Sequence, residues 1–242
     1  MLPLPLRRAA RRYIERRGFI PVSAAQSNLD AVISRRPDVS VQTVIDVGAS
    51  NGSWSRQLMR HFPNANYLLV EAQEAAHGPA LEKFKKAHPQ VRVELCAAGN
   101  REGEIHFDAS DPFSGVASAE PFPKNNIVVP MARLDTLVKQ TGWLGPYLLK
   151  LDTHGFEVPI LEGAVEILSR ASMLIVEAYN FTLCPGALRF YELATYLEQR
   201  GFRCVDVFDQ MIRPSDRALW QMDMVFLPSN HQVFESNVYE PR

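Results

Sequence analysis

The sequence predicts an α/β domain built around a largely parallel sheet, and three observations carry that expectation. From Val41 onward, short apolar runs alternate with longer amphipathic segments, as in successive β-α units. The first run leads directly into a glycine-rich turn followed by a helix-like stretch. The chain has 242 residues, 46% hydrophobic and 22% charged, which suffices to bury the core such a sheet needs. The same composition excludes a disordered, collagen-like or coiled-coil chain.

Taken in order, strands are expected at 43–47, 67–71, 91–96, 147–151, 173–178, 203–207 and 223–227. Strands covered on both faces should be almost wholly apolar, and Tyr67-Leu-Leu-Val and Met173-Leu-Ile-Val meet that condition. Helices are expected at 53–62, 78–88, 132–140, 157–169 and 187–200, with an earlier one near 27–36. The segment 107–130 has four prolines among Asp, Ser, Gly and Asn and little periodicity, so it reads as an irregular loop. Loops of that length serve as lids or as surface excursions, and composition does not choose between them.

Three regions follow: an N-terminal basic helical extension at 1–40, a main domain at 41–230 and a C-terminal tail at 231–242. Residues 1–17 carry six arginines against Glu15, so that segment is +5 and the remainder −6. Leu6, Ala9, Ala10, Tyr13 and Ile14 fall at helical spacing beside them. Such a helix can rest on an anionic membrane surface or dock its thin apolar stripe on the domain. Nucleic-acid binding is not expected, because no other basic stretch with interleaved aromatics occurs. No apolar run reaches the ~18 residues of a bilayer span, and the Arg-rich start lacks a secretory core. A cytoplasmic chain is expected, with peripheral contact at the inner face of a membrane as the role open to the basic helix. Cys96, Cys184 and Cys204 are widely spaced, which supports neither a disulfide framework nor a thiolate metal site.

The most informative stretch is Thr43-Val-Ile-Asp-Val-Gly-Ala-Ser-Asn-Gly-Ser-Trp-Ser55, a strand, a turn and a helix start. Ligands of open α/β sheets bind at the carboxyl ends of the strands, where this turn would lie. Gly48 and Gly52 allow positive φ and close backbone approach. The turn is neither G-x-G-x-x-G nor a phosphate loop, which disfavours a nicotinamide dinucleotide or nucleoside triphosphate. Glu71, at the end of the second expected strand, is placed as a ribose-binding acid, since its two oxygens can accept from both hydroxyls. Asp46 is placed to receive a ligand amino group, directly or through water.

At these residues the chain resembles the FkbM family of S-adenosylmethionine-dependent methyltransferases. Val44-Ile-Asp-Val-Gly-Ala-Ser-Asn-Gly is similar to that family's D-V-G-A-N-x-G, with Ser50 for the usual Asn. Leu149-Lys-Leu-Asp-Thr-His-Gly-Phe-Glu-Val-Pro-Ile-Leu-Glu-Gly-Ala164 resembles K-I-D-V-E-G-x-E-x-x-V-L-x-G-A, with Thr153 and His154 for Val and Glu. Ile175-Val-Glu177 and Gln221-Met-Asp-Met-Val-Phe226 complete the likeness, which covers about 41–227. The resemblance implies a class I, Rossmann-like fold: seven mostly parallel strands with helices on both faces and the last strand antiparallel. It implies S-adenosylmethionine as cofactor, with Gly48, Asn51 and Gly52 at the methionine end, Glu71 at the ribose, and Ala97 and Ala98 flanking the adenine near Asn100.

A hydroxyl acceptor must lose its proton during transfer, so a base near the methyl group is expected. Asp152, directly after the fourth of these strands, and His154 two residues on are the catalytic candidates, with His154 as base and Asp152 orienting it or the acceptor. Glu177, Tyr179 and Asn180 are candidates for acceptor binding. Asp152, Glu177 and Asn180 could instead form an oxygen-rich magnesium-type site, but acceptor hydrogen bonds need no special geometry and no metal ligand is assigned. Phe113, Phe122, Trp143, Tyr179 and Phe181 are candidate pocket walls. The expected activity is O-methylation of a hydroxyl on a sugar, glycan or related small metabolite. The alternative is a non-catalytic cofactor- or membrane-surface-binding module that keeps the fold.

Overall fold

A computed structural model describes residues 28–239. The basic segment 1–17 lies outside the described residues. Helix α1 (Leu29–Ser34) is followed by β1 (Thr43–Val47), α2 (Ser53–Leu58), β2 (Asn66–Val70), α3 (Glu74–Ala87) and β3 (Val91–Glu94). Four short strands come next or near: β4 (Ala97–Ala98), β5 (Gly103–Asp108), β6 (Val116–Ser118) and β7 (Asn126–Ala132). Then follow α4 (Leu134–Thr141), β8 (Tyr147–Leu151), α5 (Glu157–Glu162), α6 (Val165–Leu168), β9 (Ala171–Tyr179), α7 (Phe190–Glu198), β10 (Phe202–Ile212) and β11 (Leu219–Pro228).

The main sheet has seven strands in the order β10-β11-β9-β8-β1-β2-β3. β1 pairs in parallel with β2 and β8, and β8 with β9, while β11 is antiparallel to both neighbours, β9 and β10. Central strands β1 and β8 are buried along their whole length, as sequences such as Tyr-Leu-Leu-Lys-Leu require. One face of the sheet carries Ile45, Leu149, Leu174 and Phe226 and packs on α4 through α7. The other carries Val44, Leu148, Ile175 and Val225 and packs on α1 through α3. Leu29, Val32 and Ile33 of α1 are buried in that second core, so residues assigned from sequence to an extension are part of the domain. The segment after β11 also returns to it, with Val233 and Phe234 packed against the same cluster.

The structure corrects the expected loop at 107–130. β5 and β7 pair antiparallel over Gly103–Asp108, and with β4 and β6 they form a second, four-stranded sheet around Ile105, Phe107, Val129 and Met131. Only 109–115 and the turn at 119–125 are irregular. Two helices also differ. α3 begins at Glu74 rather than at 78 and holds Pro79 at its sixth position, where the helix forgoes the bond an N–H would make to the Ala75 carbonyl. The expected helix 157–169 is broken at Gly163, whose backbone is so close to Gly99 that an added Cβ would lie 1.9 Å from the Gly99 oxygen.

The turn after β1 is set by a similar close approach. Gly48 has φ +74°, and a Cβ there would meet the Asp152 carbonyl oxygen at 2.0 Å. Gly48→Ala should therefore destabilise the domain by about 2–3 kcal/mol or more, combining an overpacked contact with a left-handed backbone. Urea denaturation checks this, and an unchanged midpoint would refute the packing.

Candidate active site

A cleft opens at the carboxyl ends of β1, β2 and β8, where ligands of open α/β sheets bind. Its floor is the turn after β1. The Gly48 and Ala49 N–H groups both donate to the Val70 carbonyl (3.0 and 3.2 Å), tying the turn to β2. Glu71, 6% exposed, faces the cleft. Its Oε2 accepts from the Ser50 N–H and its Oε1 from the Gln73 N–H, both at 2.8 Å. Each carboxylate oxygen has a second lone pair, so both can still accept a hydroxyl.

The opposite end is apolar, lined by Cys96, Ala97, Ala98, Phe107, Phe156 and Ile160. Burial pushes the Cys96 thiol up to about 12, so it is a neutral part of this wall. Phe107 comes from β5, which brings the second sheet to the cleft. Beyond it, residues 111–115 pass over the rim as a strap. Gln73 Nε2 donates to the carbonyls of Asp111 (3.0 Å) and Pro112 (3.1 Å), and His77 Nε2 donates to Pro112 at 2.7 Å. Phe113 on this strap is 66% exposed at the rim, with its ring 5.5 Å from that of His77.

The polar side of the cleft follows from strand register. Asp46 of β1 and Lys150 of β8 are parallel partners, and Glu177 of β9 and Asp223 of β11 are antiparallel partners. Alternation places all four, with Asp152 two residues past Lys150, on the face that also carries Val44, Leu148 and Ile175. Lys150, 4% exposed, puts Nζ 2.9 Å from Asp152 Oδ2 and 3.4 Å from Asp46 Oδ1, with the Trp54 ring centroid at 5.3 Å. Burial opposes its charge, but Asp152 and Asp46 hold its pKa above the ordinary value. Burial likewise opposes the charge on Asp152, yet the Lys150 ammonium holds that carboxyl below the usual range. Asp46 accepts from Ser55 Oγ at 2.6 Å.

His154 follows in a left-handed conformation at φ 48°, which Gly155 at φ 104° continues. The loop is stapled by the buried Glu157, whose Oε1 accepts from the Gly155 N–H (2.8 Å) and Thr153 Oγ1 (3.2 Å). This turn aims His154 Nε2 between two carboxylates, 4.0 Å from Asp152 Oδ1 and 3.7 Å from Glu177 Oε1. Glu177 also accepts from the Tyr179 hydroxyl and from Gln221 Nε2 at 2.8 Å. Burial and the Asp152 charge push Glu177 above the usual carboxylate range. Burial, with Glu177 opposite, pushes Asp223 up to about 7.

Of the residues anticipated from sequence, Gly48, Glu71, Ala97, Ala98, Asp152 and His154 line one cleft, and Glu177 and Tyr179 adjoin it through His154. Others are placed differently. Asp46 is fully buried beneath the cleft, its carboxylate facing Lys150 and accepting from Ser55. Asn51 is exposed and its side chain accepts from the Ser53 N–H. Gly52 packs towards Phe84 and Leu69. Asn180 donates to the Leu219 carbonyl, and Asn100 donates to Glu162 rather than facing the cleft. Trp143 belongs to the core and Phe181 stacks on Trp220. Lys150, Gln73, Phe107 and Asp223 were not anticipated. Lys150 stood in plain view as a cation inside an apolar strand.

A profile of the methyltransferase FkbM domain matches residues 46–204, two thirds of the chain. The chain belongs to the FkbM methyltransferase family. Its cofactor is S-adenosylmethionine, and the methyltransferase has the class I sheet, with antiparallel β11 inserted between β9 and β10. The cleft fits that cofactor, with a carboxylate for the ribose, an apolar end for the base and a glycine turn at the floor. Among solved structures, an uncharacterized protein of Listeria monocytogenes serotype 4b is 12% identical with a TM-score of 0.48, over 81% of this chain and 65% of that one. A SAM-dependent methyltransferase from Aquifex aeolicus is 16% identical with a TM-score of 0.45, over 86% of this chain and 94% of the other. Precorrin-6y C5,15-methyltransferase of Geobacter metallireducens is 11% identical with a TM-score of 0.44, over 82% and 85%. The methyltransferase spans about 65% of the Listeria protein's length. No curated protein matches the sequence significantly.

Glu71→Gln should weaken S-adenosylmethionine binding by about 1–3 kcal/mol, the scale of a lost charge-assisted hydrogen bond. Calorimetric titration measures it, and undiminished affinity would exclude the ribose role. Asp223 holds its proton more tightly folded than unfolded, since its pKa rises from 3.8 to about 7. Its contribution is therefore fully present below about pH 4 and lost as the pH rises through about 7. Asp223→Asn should flatten the pH dependence of Tm across that window in metal-free buffer, with its largest gain at pH 8. A parallel pH dependence in both proteins would count against a raised Asp223.

Proposed function

We propose that this methyltransferase acts on a hydroxyl of a sugar, glycan or related small metabolite. The observation that carries the reading is the position of His154, an imidazole held between the Asp152 and Glu177 carboxylates beside the glycine turn. A neutral amine can attack a methyl group with its own lone pair, whereas a hydroxyl needs its proton removed as the bond forms. A base at the cleft therefore favours an oxygen acceptor.

S-adenosylmethionine, when bound, supplies a methyl group already activated by its sulfonium. Glu71 holds the ribose, and the wall from Cys96 to Phe107 excludes water from the base. Alignment of the acceptor with the methyl group is then the main source of rate, with effective molarities of up to roughly 10⁵–10⁸ M for ideal geometry. His154 takes the acceptor proton at Nε2, and Asp152 and Glu177 stabilise the imidazolium that results. Lys150 keeps Asp152 ionised and correctly turned. Tyr179 and Gln221 fix Glu177 and offer polar contacts suited to a polyhydroxyl acceptor. The basic segment 1–17 is assigned to contact with an anionic membrane surface.

Incubation with methyl-labelled S-adenosylmethionine and matched panels of sugars, glycans and amines should yield a methyl ether, identified by mass and carbon-13 shift. Label found only on nitrogen would overturn the oxygen assignment. His154→Ala should lower kcat by about 10²–10⁴, the scale of general-base catalysis, with cofactor affinity little changed.

A further inference from the structure

The three side chains that converge at the mouth of the cleft also form a set of metal ligands. One atom each from Asp152, His154 and Glu177 lies within 4.8 Å of the others. For an octahedral ion with bonds near 2.1 Å, adjacent ligand atoms stand about 3.0 Å apart and opposite ones about 4.2 Å. The Nε2–Oδ1 separation of 4.0 Å and the Nε2–Oε1 separation of 3.7 Å are wider than the adjacent-ligand distance, so binding an ion draws the three side chains inward by rotation about their own bonds. Each carboxylate is also oriented from behind. Lys150 holds Asp152 by Oδ2 and leaves Oδ1 turned to His154, while Gln221 holds Glu177 by Oε2 and the Tyr179 hydroxyl donates to the Oε1 that faces His154. Ligands braced in this way are usual around bound metals.

A second observation is independent of the ligand geometry. Glu177 and Asp223 are cross-strand partners, so two carboxylates stand directly opposite on one half-buried face, an arrangement that repels. With Asp46 and Asp152 they place four carboxyl groups on one face with the buried Lys150, whose close contacts are Asp46 and Asp152. Among the described residues, the ion-pair contact of Glu177 is with His154 at 3.7 Å, while Lys150 acts on Glu177 and Asp223 only from beyond its contacts with Asp46 and Asp152. A divalent ion at the three-ligand site balances that charge.

We infer that Asp152, His154 and Glu177 bind one divalent cation, of the manganese class that accepts both imidazole and carboxylate. Three protein ligands leave coordination positions open for water or an acceptor oxygen. With the ion in place His154 Nε2 is a ligand, which replaces the base role it has in the metal-free protein: the coordinated acceptor hydroxyl loses its proton to solvent as its oxygen bonds the methyl carbon and the S–CH₃ bond breaks. The inference deepens the oxygen-acceptor reading by naming what activates the hydroxyl, but metal binding can be measured without any acceptor.

The test titrates the full-length protein, stripped with chelator, with Mn²⁺ under electron paramagnetic resonance and calorimetry, with Mg²⁺ and Zn²⁺ as competitors. One saturable Mn²⁺ per chain is expected, weakened at least tenfold in His154→Ala and in Glu177→Gln, with both variants melting cooperatively. Absence of saturable binding by all three ions overturns the inference, as does wild-type affinity in both variants. S-adenosylhomocysteine titrated into the same stripped protein tests the methyltransferase reading separately. Product binding without metal binding removes only the cation, whereas metal binding without product binding removes only the cofactor site.

Discussion

The buried ammonium of Lys150 is the interaction on which the rest of the cleft depends. It lies within 3.4 Å of Asp46 on β1 and 2.9 Å of Asp152 after β8, with 4% of its surface exposed. Removing one partner of such a group leaves an uncompensated charge, which is far more costly than never having built the pair. Because Asp46 also accepts from Ser55 of α2, the ammonium ties the strand below the cofactor turn to the loop that carries His154. The floor of the cleft and its polar side are therefore positioned by one cation, and neither can shift alone.

Much of the architecture was legible because burial and periodicity coincide in it. β1 and β8 were expected at their observed limits, since a strand covered on both faces must be apolar throughout. The second sheet was not legible. Its strands, Gly103–Asp108 and Asn126–Ala132, carry Glu104, His106, Asp108 and Pro130, and they earn their pairing from long-range contacts rather than from local pattern. α3 was started four residues late because Gly78 and Pro79 look like breakers until the helix is seen to begin before them.

The site was legible where a role needs only a place in the topology, and obscure where it needs register. Glu71, Asp152 and His154 sit at strand ends, which sequence locates well. Asp46, Asn51 and Asn180 are also near strand ends, but their side chains are claimed by Ser55, by the Ser53 amide and by the Leu219 carbonyl. The pairing of Glu177 with Asp223 across β9 and β11 exists only once the register is known. Spacing along the chain contains no hint of it.

Glu71 does more than face the cleft. Its two oxygens are bonded to the amides of Ser50 and Gln73, and Gln73 in turn pins the strap at Asp111 and Pro112. The glycine turn, Glu71 and the strap thus form one hydrogen-bonded circuit. Couplings of this kind are reciprocal. By whatever factor a ligand on Glu71 holds the strap in place, an ordered strap holds that ligand by the same factor.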